Sequence, residues 1–353
     1  MRRGLMGWNA EELPLAVLQD RTARLQAAMQ QHGLQALLLY TNLVRPSAVT
    51  WLTGFTPYWS EGLLLVARHG APTFATALSK RVANWIRSVS PLGEIVNGPR
   101  PGTVLGQRVA ADASVRRVGI VELDALPSGS YDDFSAAAPA VELIDATGLF
   151  SEARRGADEA ERRLLARADA IAAAALEEVD GAGTADAGSV AGQVEKHARL
   201  AGAEEVYITV APDLRADRRM IRASPSLALG DVYGLRVSLA YKGCWIRRAR
   251  TFASDQRASG RPDAWFANLV QAIAPGRPLA EQIAAQVRPL GAELENWMAE
   301  SCVGSYPLQV VASSHLPGGR APVEGDFTVL TIALTAGGVP WLGTAPLIVG
   351  GRL

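Results

Sequence analysis

The sequence is poor in the residues that most often build reactive sites. Its 353 residues include two cysteines, Cys244 and Cys302, and four histidines, His32, His69, His197 and His315. Two cysteines in a chain this long make no disulfide framework, and neither sits in a zinc-type pair, so buried free thiols are expected. Net charge is absent too: 35 basic residues balance 35 acidic ones. That balance gives no reason to expect nucleic acid or an anionic membrane as partner. No apolar run approaches the roughly 20 residues of a membrane span. The opening "MRRGLMGWNAEELPLAV" lacks an apolar stretch long enough for a signal peptide, so the cytoplasm is the expected location. What remains is an ordinary globular composition, 48% apolar and 20% charged, with ample material for a core.

The length suggests two domains. In the first, "QDRTARLQAAMQQHGL" (18–33) is a helix, with Leu25, Ala28 and Met29 at i, i+3, i+4 spacing and Gly33 placed to end it. "QALLLY" (35–40) is a short buried-type strand, and "AVTWLTGF" (48–55) follows. "EGLLLVARHGAPTFAT" (61–76) reads as two strands joined at His69-Gly70. "SKRVANWIRSV" (79–89) is a helix, and "VGIVEL" (118–123) and "AVELIDA" (140–146) are strands. Strands alternating with helices indicate an α/β domain over residues 1–150, with a parallel or mixed sheet.

From 151 to 353 the pattern changes. A long helix begins near 157, in "ADEAERRLLARADAIAAAALEEV", and the glycine-rich "DGAGTADAG" (180–188) stops it. A second helix, about 189–201, precedes strands at "EVYITVAP" (205–212) and a hairpin turning at Lys242-Gly243. Helices are expected at 262–274 and 279–300, then strands at "DFTVLTIAL" (326–334) and "VPWLGTAPLIVGG" (339–351). This is an α+β domain. No short-period repeat or low-complexity tail is present.

Element order and several strings resemble the creatinase / Xaa-Pro peptidase (prolidase-like) family over nearly the whole chain. In the first domain they are "RTARLQAAMQQHGLQALLL", "WLTGF" and "EGLLLVARHGAPTF". In the second they are "SEARRGADEAERRLLARADAI", "LALGDVYGLRVSLAYKGCWIRRARTF" and "VEGDFTVLTIAL". The resemblance implies an α/β creatinase-like N-terminal domain, a pita-bread α+β C-terminal domain and a homodimer. It also implies two metal ions held by two Asp, one His and two Glu, and here the chain departs. Gly230-Asp231, Tyr241, Gly243 and Arg250-Thr251-Phe252 stay in register, so the two Asp positions fall on Arg236 and Arg247. The His position falls within "ESCVGSYPLQ" (300–309), on Ser301, Cys302 or Val303. The Glu positions fall on Thr331 and near Gly343 or Thr344, and a further substrate-contacting histidine is replaced by Arg222.

A guanidinium is permanently protonated and has no lone pair to offer a cation. Divalent ions need oxygen or imidazole donors, so no metal and no other cofactor is expected. Strand alternation puts Arg247 on one face and Arg248 and Arg250 on the other. A buried arginine needs a partner. Either nearby carboxylates or carbonyls plug the cavity, or Arg236 and Arg247 present bidentate forks to a carboxylate or phosphate. "FTPYWSEG" (55–62), with Trp59, would add an aromatic wall. His315, in "SSHLPGG", and Cys302 are the candidates for proton transfer, the other histidines reading as structural. No Gly-x-Ser-x-Gly elbow accompanies Ser313 and Ser314, and no phosphate-binding fingerprint is present.

These residues describe a metal-free, catalytically degenerate family member that binds a small anion, a peptide or a partner subunit such as an active paralogue. The alternative is a metal-independent, creatinase-like C–N hydrolase or lyase acting on a small carboxylate.

Overall fold

The computed structural model describes residues 7–57, 60–179, 186–253, 256–316 and 320–353. It divides into two compact units. One contains residues up to Arg155 together with Cys302–Pro307; the other contains Gly156–Ser301 and Leu308–Leu353.

The N-terminal unit runs α1 (Leu15–Gln31), β1 (Ala36–Thr41), α2 (Ser47–Thr53), β2 (Gly62–Ala67), β3 (Thr73–Thr76), α3 (Lys80–Val89), β4 (Glu94–Asn97), α4 (Pro101–Ala110), β5 (Arg117–Val121), α5 (Ser128–Ala137), β6 (Glu142–Asp145) and α6 (Thr147–Arg154). Its six strands form a mixed sheet in the order β4-β3-β2-β1-β5-β6. β1 shows why the sheet lies between helices. Leu37 and Leu39 point into a core shared with α1, α2, α3 and α6, while Ala36, Leu38 and Tyr40 point into one shared with α4 and α5. The sequence "AVTWLTGF" forms α2, ended by Gly54 in the left-handed region at φ 65°. β4, α4, α5 and α6 are short elements, of four to ten residues, that the sequence reading did not assign.

The second unit runs α7 (Glu159–Glu177), α8 (Ala187–Leu200), β7 (Glu205–Ala211), β8 (Ile221–Arg222), β9 (Val232–Tyr241), β10 (Cys244–Ala253), α9 (Gln256–Ala272), α10 (Leu279–Leu290), β11 (Glu293–Ser301), β12 (Gln309–Ser313), β13 (Phe327–Ala336) and β14 (Val339–Ile348). The eight strands are antiparallel throughout, in the order β12-β11-β13-β14-β10-β9-β7-β8. α9 and α10 pack Phe266, Leu269 and Ile283 against Trp297, Leu330, Ile332 and Trp341. Arg248 donates to Asp169 of α7 at 2.7 and 2.9 Å, which fixes the face of β10 that meets the helices.

Two expectations are corrected here. The helix expected over 279–300 stops at Leu290, where Gly291 adopts φ 66°, and the remainder is β11. The second helix of this unit starts at Ala187, with Asp186 accepting from the backbone N–H of Ser189 at 2.9 Å, so the stop segment's last two residues are helical. Residues 180–185 of that segment lie outside the described residues. Cys244 and Cys302 are free, as expected, but half-buried rather than buried.

The chain returns to the N-terminal unit for Cys302–Pro307. Ser305 donates its N–H to Glu122 Oε2 at 3.0 Å, and Ser47 donates its N–H to Ser305 O at 2.9 Å. Ser151 Oγ donates to Val303 O at 2.9 Å, and Arg154 Nη1 to Gly304 O at 3.2 Å. A Cβ at residue 304 would collide with the Glu122 carboxylate, so only glycine fits there.

The β9–β10 turn is held by a buried acid. Lys242 (φ 49°) and Gly243 (φ 76°) both take left-handed backbone, as a two-residue hairpin turn requires. Both donate their N–H groups to Glu204, at 2.9 and 2.6 Å. Burial pushes the Glu204 carboxyl above its ordinary value despite these bonds. The folded state therefore holds that proton more tightly than the unfolded chain, so its contribution is largest below the ordinary carboxylate range and declines as pH rises through the raised value. Glu204→Ala is expected to cost about 2–3 kcal/mol, the loss of hydrogen bonds to an ionisable acceptor, and to flatten that decline. Urea unfolding at several pH values measures both.

Candidate functional site

Register carries one row of residues across the whole C-terminal sheet. Arg222 lies opposite Thr209, Thr209 opposite Arg236, Arg236 opposite Ala249, and Ala249 opposite Thr344. Thr344 lies opposite Thr331, Thr331 opposite Met298, and Met298 opposite Ser313. Directly opposed residues in an antiparallel sheet share a face. Arg247 and Glu300 stand two positions along from Ala249 and Met298, so they share it too. This is the face opposite the helices, because Arg248 meets α7 from the other side.

Four of the residues singled out beforehand, Arg222, Arg236, Thr331 and Thr344, thus fall in one row, with Arg247 one row away. Thr331 Oγ1 and Thr344 Oγ1 are hydrogen-bonded at 2.9 Å. Arg222 is exposed on the edge strand. Arg247 Nη1 donates to Glu300 Oε1 in an ion pair whose carboxylate is almost fully buried, with a side-chain exposure of 4%. The second oxygen, Glu300 Oε2, is buried and has no hydrogen-bond partner. Arg236 makes a single hydrogen bond, from Nε to Thr209 Oγ1 at 3.2 Å, and no ion pair among the described residues. Burial and the neighbouring Arg247 charge pull its guanidinium below its ordinary value, against the opposing pull of Glu300. A guanidinium keeps its proton in proteins, so Arg236 stays charged.

The other candidates lie elsewhere. His315 is exposed in the turn after β12, its N–H donated to Ser313 Oγ at 3.2 Å. Ser301 Oγ donates to Phe327 O, and Cys302 Sγ to Pro307 O within the segment that belongs to the N-terminal unit. Trp59 lies outside the described residues. Glu300 was missed because its segment was read as the end of a helix. Read as a strand, the alternation in "ELENWMAES" sets Glu300 on the face of Met298.

Other polar clusters are internally matched. A groove of about 440 Å³ between α7 and α9 is lined by Arg248, which Asp169 neutralises, and by Asp263, which accepts from Trp341 Nε1 at 2.7 Å. In the N-terminal unit Tyr40 Oη donates to Glu61 at 2.6 Å, and burial with this bond pushes its pKa up to about 12. That hydroxyl keeps its proton at neutral pH.

Comparison with known proteins places the fold. Residues 21–155 match the creatinase/prolidase N-terminal domain model. These residues are therefore similar to a creatinase/prolidase N-terminal domain. The whole chain superposes on the prolidase from Pyrococcus horikoshii OT3 with a TM-score of 0.70 and 13% identity, covering 94% of this chain and 96% of that one. It superposes on the Xaa-Pro dipeptidase from Bacillus anthracis at 0.69 and 19%, covering 94% and 95%. The N-terminal domain of FACT complex subunit SPT16 from Cicer arietinum matches at 0.67 and 14%, covering 95% and 93%. A sequence search of curated proteins found no match. The chain therefore has the two-domain architecture of the creatinase / Xaa-Pro peptidase family, an α/β domain followed by the pita-bread domain.

The donors on the candidate face do not fit the pair of metal ions that this family resemblance implies. Three of its four charged groups, Arg222, Arg236 and Arg247, are guanidiniums with no lone pair, and Thr331 and Thr344 bond each other. Among the described residues no cluster of three or more His, Cys, Asp or Glu side chains is placed to hold an ion. No described helix is long and apolar enough to cross a membrane.

The Arg247–Glu300 pair is expected to matter most when broken from one side. Arg247→Met leaves a buried carboxylate alone and should cost about 3–5 kcal/mol, whereas adding Glu300→Leu should recover most of the loss. Denaturant midpoints of the two single variants and the double variant close the cycle.

Proposed function

We propose that this chain is a metal-free binding member of the prolidase fold, taking a small anion at Arg236, on the face of its C-terminal sheet opposite the helices. The observation that carries this reading is a charge imbalance. Arg236 and Arg247 share the face with one carboxylate, Glu300, which is already engaged by Arg247. Arg236 keeps two amino groups with no protein acceptor among the described residues. A half-buried guanidinium in that state favours an external carboxylate, which meets its planar fork with two parallel hydrogen bonds. In the prolidases that resemble this chain, the resemblance implies carboxylates at the seats held here by Arg236 and Arg247. The same fold occurs in a protein named as a complex subunit, SPT16, so a binding role on this scaffold has a parallel.

Acetate titrated into the protein, followed by NMR or calorimetry, is expected to bind, and Arg236→Gln to weaken it by at least about tenfold, or ~1.4 kcal/mol. The protein incubated with manganese, cobalt or zinc is expected to retain no stoichiometric metal and to leave proline dipeptides intact. EDTA-sensitive dipeptide hydrolysis would overturn the reading.

A further inference from the structure

The groove between α7 and α9 lies on the other side of the C-terminal sheet from Arg236, and two helical stripes wall it. α7 turns Ala173, Leu176 and Glu177 toward it. α9 turns Asp263, Phe266, Ala267 and Val270, at i, i+3, i+4, i+7 spacing. Each wall carries an alanine where a larger side chain would fill the gap. The space between is about 440 Å³, within the range of small-molecule sites. β10 adds Arg248 and Arg250 to the lining.

We infer that this groove binds a free amino acid with an apolar side chain, its ammonium on Asp263 and its carboxylate on Arg250. Trp341 engages only one oxygen of Asp263. The other, Oδ2, accepts no bond among the described residues and is not sealed from solvent. Arg250 is exposed, its guanidinium carbon 5.4 Å from the centre of the Phe252 ring, and it donates to no acceptor among the described residues. Burial pushes the Asp263 carboxyl above its ordinary value, and the Trp341 bond and the Arg250 charge only partly offset this. The two opposite charges thus act on each other without closing into an ion pair. A ligand carrying both signs serves both ends and adds no net charge. A lone amine would leave Arg250 unmet, and a lone carboxylate would face Asp263. Arg248 is already taken, because Asp169 holds it through two bonds and Glu177 acts on it as well. Leu176, Phe266 and Val270 offer the side chain an apolar wall.

Leucine, isoamylamine and isocaproate share one carbon frame and carry both charges, the positive one alone and the negative one alone. Each is titrated into the intact protein at neutral pH. The indole N–H resonance of Trp341, assigned with Trp341→Phe, reports on this groove rather than on Arg236. Leucine is expected to move that resonance and to bind at least about tenfold more tightly than either analogue. Asp263→Asn, which keeps an acceptor for Trp341, and Arg250→Gln are each expected to weaken leucine at least about tenfold. Ala267→Leu, a change at an exposed position that fills the groove, is expected to abolish binding. Isoamylamine binding as tightly as leucine would overturn the carboxylate seat on Arg250, and isocaproate doing so would overturn the ammonium seat on Asp263. Leucine affinity unchanged in both charge variants would overturn the inference outright. A Trp341 resonance that leucine leaves unmoved would remove it too, while the anion reading at Arg236 would stand.

Discussion

Two guanidiniums sharing one carboxylate is the constraint around which the C-terminal sheet is organised. Glu300 reaches Arg247 and leaves Arg236 with a threonine hydroxyl. Buried ions in proteins are normally matched, because removing a charge from water costs several kcal/mol even after relaxation. On the face opposite the helices, Arg236 has no carboxylate partner among the described residues. The helix-side face shows the contrast. There Arg248 lies in a two-pronged contact with Asp169, which offsets the cost of its burial.

The row that gathers these groups is a product of register. Seven consecutive strand pairings place Arg222, Thr209, Arg236, Ala249, Thr344, Thr331, Met298 and Ser313 in line, and a slip of one residue in any strand would turn its member to the helices. The Lys242-Gly243 turn fixes the central pairing, and Glu204 fixes the turn. The positions of Arg236 and Arg247 thus depend on an acid buried at the far end of their hairpin.

Much of this was legible in the residues. The alternation in "WIRRARTF" separates Arg247 from Arg248 correctly, and the Lys-Gly turn was visible as a dipeptide. The α/β and α+β halves follow from where helical and strand periods alternate. What escaped notice has physical causes. β4 is a four-residue strand, too short for a period to show. β11 follows a helix without any gap in its polar pattern, and only Gly291 marks the join. Glu300 was hidden by that error, since a helix end faces water and a strand interior does not. Long-range pairing across 53 residues, as between Arg247 and Glu300, has no local signature at all.

The six residues Cys302–Pro307 complicate any division of this gene product at the join near residue 155. They are remote in sequence from the N-terminal unit, yet they make their backbone bonds with it, through Glu122, Ser47, Ser151 and Arg154. Expressed alone, the N-terminal half would lack a built-in strap. The other half would carry those residues stripped of every one of these acceptors and donors, immediately after the strand that presents Glu300. Recombination or truncation at the apparent boundary therefore severs a discontinuous unit.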